Sequence, residues 1–402
     1  MDNEEKLMSY RKIKIKKFIS KNKFGLTVVF LIALGAGTLI YLNFGKASLD
    51  FISISNINEE EVVYPIQYSD KNITINAIIA DPRFKDLAYF DRNSLLASSI
   101  SSLQKSGEIE TLGPEKGTWL WTPIMDITPS YRNKIISGAK KDKIKNIYLS
   151  IDSYLDIYVM QDGAEKTKLK KEFDSIVENF IIEADKNGMS VDAEGGWRNW
   201  AEGGHSYKAF AVLDYAKRFN ASHQNKFRGF QYDVEPYMLE AYKNNKKEVL
   251  INFLDLMGET VTRLNGSDLV FSVVTPEFYD GSGQTPKFTY RGKSGYTINH
   301  LLSILDRREQ SKIIVMSYRN FSNGKNGSIE ISKGEISEGN NYQTKIILAQ
   351  ETGNVEPSYI TFYRTSKQYY NKQTEILQKA FSQDKSFGGI AVHYVNSFME
   401  LE

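Results

Sequence analysis

The chain of 402 residues contains no cysteine, which excludes disulfide bonds, thiol catalysis and cysteine-ligated metal ions. Histidine is scarce as well, and the four histidines lack the His-x-His or His-Glu-x-x-His spacing of metal hydrolases. No Gly-x-Gly-x-x-Gly sequence follows an apolar run, so a dinucleotide-binding fold is not indicated. The formal net charge is only +2, which argues against a nucleic-acid partner. We therefore expect no cofactor, no metal ion and no nucleic acid.

The first 44 residues carry an uneven charge pattern. Residues 11–23 include seven basic and no acidic side chains, and residues 24–44 are 21 consecutive residues without a charge. At about 1.5 Å per residue, a helix of that length spans a hydrocarbon core of about 30 Å, and the basic flank stays cytoplasmic. We predict a basic cytoplasmic tail at 1–23, a single transmembrane anchor at 24–44 and an extracytoplasmic remainder at the cell membrane. A cleavable signal peptide is the alternative, although its apolar region would be unusually long.

The remainder divides into an irregular segment and a regular one. Residues 45–115 show only short patterns, which indicate a stalk or small accessory segment. From 116 to 402, apolar runs alternate with helical periodicity, which predicts a (β/α)8 TIM barrel, with a doubly wound open sheet as the alternative. The polar stretch 320–342 is typical of a long loop. The predicted strands are Thr118–Ile124, Lys145–Ile151, Met189–Ala193, Gly229–Asp233, Leu269–Val274, Lys312–Ser317, Lys345–Gln350 and Gly388–His393, and the clearest predicted helices cover 169–181 and 250–264.

Asp233 and Glu235 follow the fourth predicted strand with a spacing of two residues. In a strand, residues two apart point to the same side, and Pro236 then stops the strand. Two carboxyl groups on one face repel each other, which is unfavourable unless the pair is used. The pattern predicts a catalytic carboxyl group with a partner that tunes its pKa. Two solvated acids at a strand end are the alternative.

Acidic and aromatic residues dominate the predicted strand ends, where barrel enzymes carry their chemistry. Sugar recognition uses aromatic faces beside carboxylates, and glycoside hydrolysis uses two carboxyl groups. All four tryptophans fall at or beside two predicted strand ends, which favours an aromatic platform over core packing. The candidate substrate contacts are Trp121, Asp152, Trp197, Glu277, Tyr318, Arg319, His393 and Tyr394.

Three short motifs resemble a known family. Asp233-Val234-Glu235 looks like the fourth-strand Asp-x-Glu signature of chitinase-like family 18 glycosidases. Met316-Ser317-Tyr318 is similar to their sixth-strand Met-x-Tyr, and Gly388-Gly389 to their eighth-strand Gly-Gly run. The resemblance implies that Glu235 is the general acid/base and that Asp233 orients an acetamido group of the substrate, which acts as nucleophile. It also implies that Tyr318 contacts the substrate.

A second resemblance concerns Glu351. Glu235-Pro236 after strand four and Glu351 after strand seven look like the large glycosidase clan that has its acid/base and its nucleophile at those positions, although Val234 replaces the usual Asn. It implies that Glu351 is the nucleophile or a stabiliser of the transition state. Both resemblances imply a barrel with Glu235 as acid/base, and they differ in the nucleophile.

The sequence thus predicts a membrane-anchored, extracytoplasmic glycoside hydrolase-like protein that cleaves a cell-wall or envelope polysaccharide. The alternative is a non-catalytic saccharide-binding or scaffolding barrel at the cell surface, in which an ion pair between Glu235 and Arg319 would close the mouth. That alternative is motivated by departures from the family 18 pattern. Aspartates or tryptophan of that family are replaced here by Arg228, Gln231, Arg319 and His393.

Overall fold

Residues 115–281 and 284–402 are described by a computed structural model. The predicted tail at 1–23 and anchor at 24–44 lie outside the described residues, and so does the predicted stalk at 45–115 except for Glu115. In the part that is described, no helix is both long and apolar enough to cross a membrane.

Eight parallel strands close into a barrel. Each strand pairs with the next one in the chain, and the last pairs with the first. The predicted (β/α)8 barrel is therefore confirmed, and the open-sheet alternative is wrong. The strands are β1 (Glu115–Leu120), β2 (Asn146–Ser150), β3 (Ser190–Gly195), β4 (Gly229–Tyr232), β5 (Val270–Pro276), β6 (Lys312–Met316), β7 (Lys345–Glu351) and β8 (Phe387–His393).

The strand boundaries differ most from prediction in β1, which begins three residues earlier and ends at Leu120. Pro123 lies shortly after this strand and caps a turn of 3-10 helix at Ile124–Asp126, so the chain leaves the barrel before the apolar run is finished. A two-stranded antiparallel hairpin, Phe288–Tyr290 with Lys293–Gly295, lies between β5 and β6 and was not predicted.

Helices lie between the strands. The two clearest predictions are confirmed in α3 and α5, and each is followed by a glycine with positive φ, Gly188 at 72° and Gly266 at 76°. The helices are α1 (Pro129–Lys141), α2 (Tyr154–Tyr158), α3 (Ala164–Lys186), α4 (Ser206–Ser222), α5 (Lys246–Arg263), α6 (Thr297–Leu305), α7 (Ser328–Gly339), α8 (Lys367–Ala380) and α9 (Val395–Met399).

The prediction of a loop at 320–342 is wrong for residues 328–339, because they form the helix α7. This helix buries Ser328, Ser332, Glu335, Ile336 and Gly339, so its inward face is mostly small or polar. Hydrophobic periodicity is the main sequence signal for a helix, and a polar buried face removes that signal.

The barrel interior is filled at its amino-terminal end by ionised side chains. Arg228 lies 2.9 Å from Glu115 and 2.6 Å from Asp192, and Lys312 lies 2.6 Å from Glu115. Above this floor an apolar layer includes Trp119, Tyr148, Ile314 and Ile347. The strand-end side chains therefore meet at the opposite, carboxyl-terminal mouth.

Candidate active site

Three neighbouring strands each bring an acidic side chain to one wall of the mouth. In the strand register, Ser150 on β2 lies beside Glu194 on β3, which lies beside Gln231 on β4. Because alternate residues of a strand share a face, Asp152 and Asp233 continue the inward rows of β2 and β4 above them. Asp152, Glu194 and Asp233 thus belong to one wall.

Asp233 is held close to the end of β3. Its backbone N–H donates to the Gly195 carbonyl at 3.2 Å, and a Cβ on Gly196 would lie 1.9 Å from the Asp233 carbonyl oxygen. Gly196 is therefore required by the close approach of the two chains. Sequence reasoning did not single out this glycine, although Gly195-Gly196 directly after a strand is a signal for such an approach.

The Asp233 carboxyl group retains its proton at neutral pH. Burial raises its pKa first, the charge of Glu235 raises it further and His393 lowers it, with a result of about 8. Its Oδ1 atom is buried and has no hydrogen-bond partner within the described residues. The Tyr237 hydroxyl donates to Oε1 of Glu235. Tyr237 was not predicted as a site residue, and its position two residues after Glu235 on the strand-end turn gave no periodic signal.

Glu194 is the acid that the sequence analysis left out of the site. It is 0% exposed, and neither carboxyl oxygen has a hydrogen-bond partner in the described structure. Burial, followed by the charges of Asp233 and Asp152, holds its pKa well above the usual range. The alternation along β3 places Asp192 and Glu194 on the same inward face, and this was the signal available in the sequence.

Glu351 and His393 form the opposite wall. The Glu351 carboxylate accepts the backbone N–H groups of Thr352 and Gly353 through Oε1, and Oε2 lies 2.7 Å from Nδ1 of His393. The side chain is only 4% exposed. The predicted nucleophile is thus a buried carboxylate that binds three donors.

His393 is oriented from both of its nitrogens. The Trp121 indole N–H donates to Nε2 at 3.1 Å, so Nδ1 carries the proton that faces Glu351. Burial lowers the pKa of His393, but the charge of Glu351 and the hydrogen bond to it raise the pKa more, to a value above the usual one. Protonation of Nε2 requires the Trp121 indole to move, because an N–H donor needs the free lone pair.

Tyr318 lies between the two walls, with its ring 5.8 Å from the His393 ring. Its pKa is raised well above the usual range, first by burial and then by the charge of Glu351, with Asp233, Glu235 and Glu277 adding to it. We use the name cup for a set of side chains at the strand ends in the carboxyl-terminal mouth of the barrel. They are Trp121, Asp152, Glu194, Asp233, Glu235, Tyr318, Glu351 and His393.

The other predicted contacts lie around the cup. Arg319 pairs with Glu277 at 3.6 Å, and its guanidinium lies over the Tyr359 ring. Tyr394 follows His393 and packs edge-to-face on its ring, with 5.4 Å between the ring centroids.

The prediction that the tryptophans form an aromatic platform is wrong for two of the four. Trp119 and Trp200 are fully buried core residues, because Trp119 fills the barrel interior and Trp200 packs on Tyr232. Trp121 is half-buried in the cup. Trp197 is 39% exposed on the turn after β3, with the Arg198 guanidinium over its ring.

Two departures from the family 18 pattern have structural roles in the barrel. Arg228 forms the ion pairs of the floor described above. Gln231 accepts the Trp119 indole N–H at 2.6 Å and donates to the Ser272 hydroxyl at 3.2 Å. These residues therefore hold the interior below the cup, in places where the family has aspartates.

No protein-family model matches the chain, and a search of curated proteins found no match. Among solved structures, the chain is similar to a family 18 chitinase from Pseudoalteromonas aurantia, with 14% identity, a TM-score of 0.42 and coverage of 71% of this chain and 97% of that one. It is similar to a family 18 chitinase variant from Cycas revoluta solved in complex with (GlcNAc)4, with 12% identity, a TM-score of 0.42 and coverage of 71% and 96%.

A β-mannanase from the blue mussel Mytilus edulis is similar as well, with 8% identity, a TM-score of 0.43 and coverage of 72% of this chain and 90% of that one. All three are glycoside hydrolases, the class that the sequence motifs resemble. Because the TM-scores are below 0.5, we infer nothing about the function of this chain from the likeness. The fold rests on the strand pairing, and the site rests on its own contacts.

Proposed function

We propose that this protein is a glycoside hydrolase that is anchored in the cell membrane by residues 24–44 and cleaves a cell-wall or envelope polysaccharide outside it. One observation carries the proposal. Asp233 and Glu235 stand together at the end of β4, and Asp233 keeps its proton to about pH 8. Protonation of a glycosidic oxygen requires a proton that stays at the active site at physiological pH, and this pair of carboxyl groups holds one.

The two carboxyl groups of the pair have different surroundings. Asp233 is the proton reservoir, because burial and the neighbouring charge keep it neutral. Glu235 accepts a hydrogen bond from Tyr237, which fixes its orientation, and it lies further along the turn that leaves the strand. We assign Glu235 as the group that exchanges the proton with the glycosidic oxygen, and Asp233 as the group that tunes it.

The opposite wall stabilises positive charge on the sugar ring. Cleavage proceeds through a transition state with oxocarbenium character. The Glu351 carboxyl group is held by three hydrogen-bond partners, and it orients His393 at the cup surface. Since both of its oxygens are already bound, we assign Glu351 to positioning and charge stabilisation. Whether the sugar keeps or inverts its anomeric configuration is measured by NMR of the first product.

Aromatic side chains around the cup provide surfaces for a chain of sugars. Trp121 lies within the cup and Trp197 lies on its rim, half-exposed with its face covered by Arg198. Tyr359 is 52% exposed beside Arg319 on the far side. Partly exposed aromatic rings on opposite sides of a mouth suit an extended substrate better than a single sugar.

The test of activity uses the full chain and a panel of envelope polysaccharides. Release of reducing ends is measured for the wild type, for Glu235→Gln and for the control Glu240→Gln, an exposed acid on the same turn that pairs with Lys243. We expect Glu235→Gln to lose about 100-fold or more in turnover, since general acid catalysis contributes that much. The control should retain full turnover. Equal turnover in Glu235→Gln and the wild type would remove the assignment.

A saccharide-binding barrel without turnover is the second candidate. The occupied and buried Glu351 carboxylate favours it, because a retaining glycosidase needs a second carboxylate that reaches the sugar. This candidate predicts that the wild type binds a glycan of the panel and releases no product. It also predicts that Glu235→Gln leaves the affinity unchanged.

The location is tested separately. The full chain and a chain without residues 1–44 are produced in a bacterial host, and membranes are separated from soluble material. We expect the full chain in the membrane fraction, with its barrel digested by protease added outside spheroplasts. Full-length chain in the soluble fraction, or protection from external protease, would contradict the proposed anchor and orientation.

A further inference from the structure

We propose that a cavity on the rim of the mouth binds one sugar unit of the polysaccharide, at a distance from the bond that is cleaved, and that this unit carries no acidic group. The inference rests on the proposed function and deepens it, because it assigns a second point of contact with the substrate and the chemical class of the sugar held there.

The cavity lies between elements that follow β3 and β4. It has a volume of about 250 Å³ and is lined by residues 201–203 after β3, by Leu239 and Ala241 after β4, and by one side of α5. The helix α5 packs against the turns that follow both strands. We call this space the rim cavity. Pockets for drug-sized ligands have volumes of about 300–1,000 Å³, so the rim cavity has room for one small unit such as a sugar ring.

One face of α5 borders the rim cavity. The lining residues at positions 245, 248, 249 and 252 are spaced i, i+3, i+4 and i+7, which is the spacing of a single helix face. Lys246 and Lys247 fall between these positions and do not line the cavity. Lys246 donates instead to the Gln284 carbonyl at 2.8 Å. The basic residues at the start of this helix therefore lie outside the cavity.

The lining provides apolar and polar contacts together. Ala201 and Val249 are buried and Leu239 is half-buried, and these three side chains supply apolar surface. Three of the four polar side chains are exposed and the fourth is half-buried, so a ligand reaches them from solvent. A sugar ring needs both kinds of contact, because it presents C–H groups on its faces and hydroxyl groups at its edge. The four polar residues are Glu202, Asn245, Glu248 and Asn252.

Charge and hydrogen-bonding capacity select the class of sugar. Glu202 and Glu248 are acidic, and no basic side chain is among the described residues that line the cavity. A uronic acid or a sugar phosphate would bring negative charge next to these acids, which is unfavourable. Sugar hydroxyls donate to carboxylates, and they both donate to and accept from the amides of Asn245 and Asn252. The Asn245 amide makes no capping hydrogen bond to α5, which leaves it available to a sugar.

The rim cavity lies within reach of the acid pair. Leu239 follows Glu235 by four residues, so their Cα atoms are at most about 14 Å apart. The lining residues all lie outside the cup, so the cavity is a separate point of contact. A sufficiently long oligosaccharide with its cleaved bond at Glu235 therefore places another unit in the rim cavity. Shorter oligosaccharides lack that unit and lose its binding energy.

The decisive experiment measures how affinity changes with the length of the oligosaccharide. Dimers and hexamers of N-acetylglucosamine, glucose and galacturonic acid are titrated into the full chain by calorimetry. We expect the hexamer of at least one of the two uncharged sugars to bind about tenfold or more tightly than its dimer, the effect of one or more hydrogen bonds to charged groups. The galacturonic acid hexamer should show no such gain. The absence of a gain for both uncharged sugars, or an equal gain for galacturonic acid, would overturn the inference.

Filling the rim cavity should remove the gain. Gly203 lines the cavity, a Cβ there would meet nothing within 4 Å, and its φ is outside the left-handed region, so the fold accepts a side chain. In Gly203→Phe the hexamer should bind only as tightly as the dimer. The matched control is Gly204→Phe, because Gly204 has equally open surroundings and does not line the cavity. A gain that persists in Gly203→Phe, at the wild-type melting temperature, would contradict the assignment.

A second variant tests the hydrogen bonds and replaces Gly203→Phe if that variant does not fold. Asn252→Ala removes one amide of the lining, and alanine favours the helix at this exposed position. The gain should fall about threefold or more, the effect of one hydrogen bond. Asn371→Ala, at an exposed position of α8, is the matched control and should keep the full gain. Equal gains in the two variants would contradict the placement of the sugar beside α5.

Further outcomes separate the inference from the proposed function. A gain that depends on the rim cavity, without release of reducing ends, would leave the inference in place and remove the hydrolase. Release of reducing ends that Glu235→Gln abolishes, with equal affinities for dimers and hexamers, would do the reverse. Calcium is titrated alone as well, because carboxyl and amide oxygens are also its ligands. Calcium binding that Gly203→Phe abolishes, without a gain for any hexamer, would assign the rim cavity to the ion and overturn the inference.

Discussion

Nδ1 of His393 lies 2.7 Å from Oε2 of Glu351, across the last two strands of the barrel. The pair fixes the imidazole between a buried carboxylate on one side and the Trp121 indole N–H on the other. The ring therefore has one favoured tautomer, with its proton on Nδ1. This pair, and the Asp233–Glu235 pair on the facing wall, are the two ionisable units from which the first predictions follow.

Replacing Glu351 by Gln should lower the pKa of His393. The carboxylate charge and its hydrogen bond raise that pKa against the effect of burial, and the amide removes the charge. Titration of the histidine ring protons by NMR measures the change, and a His393→Gln variant assigns the signal among the four histidines. A pKa of His393 that stays unchanged in Glu351→Gln would show that the carboxylate does not control the ring.

Replacing Asp233 by Asn should stabilise the fold at alkaline pH and reduce turnover. The ordinary pKa is 3.8 and the folded-state value is about 8, so the folded state is increasingly disfavoured as the pH rises from 3.8 to about 8, and by a constant amount above that. The variant escapes this cost, and we expect a gain on the order of a few kcal/mol at about pH 9.

The measurement is urea unfolding of the wild type and Asp233→Asn across that pH range. Asp162→Asn, which changes a carboxyl group that is 93% exposed, serves as the control and should show no growing gain. A difference between Asp233→Asn and the wild type that shrinks with rising pH has the wrong sign and would refute the raised pKa.

Replacing Gly196 by Ala should displace the end of β4 and reduce both stability and turnover. The added Cβ would lie 1.9 Å from the Asp233 carbonyl oxygen, so the backbone under the acid pair must move. We expect a loss of about 3 kcal/mol in the free energy of unfolding, the upper part of the range for overpacking. Gly204→Ala in the same turn is the matched control, since its Cβ would meet nothing within 4 Å. Equal melting temperatures for the two variants would contradict the close approach.

Replacing Lys312 by Met should destabilise the barrel floor. Lys312 and Glu115 are both buried and lie 2.6 Å apart, and removal of one partner of a buried ion pair costs about 3–5 kcal/mol. The control is Lys333→Met, which removes an exposed pair with Glu330 and should cost less than about 1 kcal/mol. Similar costs for the two variants would show that the floor pair contributes little.

The same variant should also change the acid sensitivity of the fold. Burial raises the pKa of Glu115, but Arg228 and Lys312 lower it more, to about 2 from an ordinary value of 4.5. The stabilisation is therefore present above pH 4.5 and is lost as the pH falls through about 2. Without Lys312, acid unfolding should begin at a higher pH. An unchanged acid midpoint would contradict this linkage.

The sequence by itself determined the barrel and the position of the acid pair directly after the fourth strand. Apolar runs of strand length, alternating with amphipathic helices, leave few arrangements that bury both faces of the strands. The two-residue spacing of Asp233 and Glu235 is a local property of the strand end, and so is readable without coordinates. Where an element lacked an apolar periodicity, as in α7, the prediction failed for that reason.

Only the tertiary structure decided how the acids are used. Glu351 and His393 are 42 residues apart, and their contact depends on the register of β7 with β8, which the sequence pattern does not specify. The full burial of Glu194 likewise depends on how β2 and β4 pair with β3 on either side of it. Periodicity reports which face of a strand a residue occupies, whereas hydrogen bonds between strands depend on distances of a few tenths of an ångström across the closed barrel.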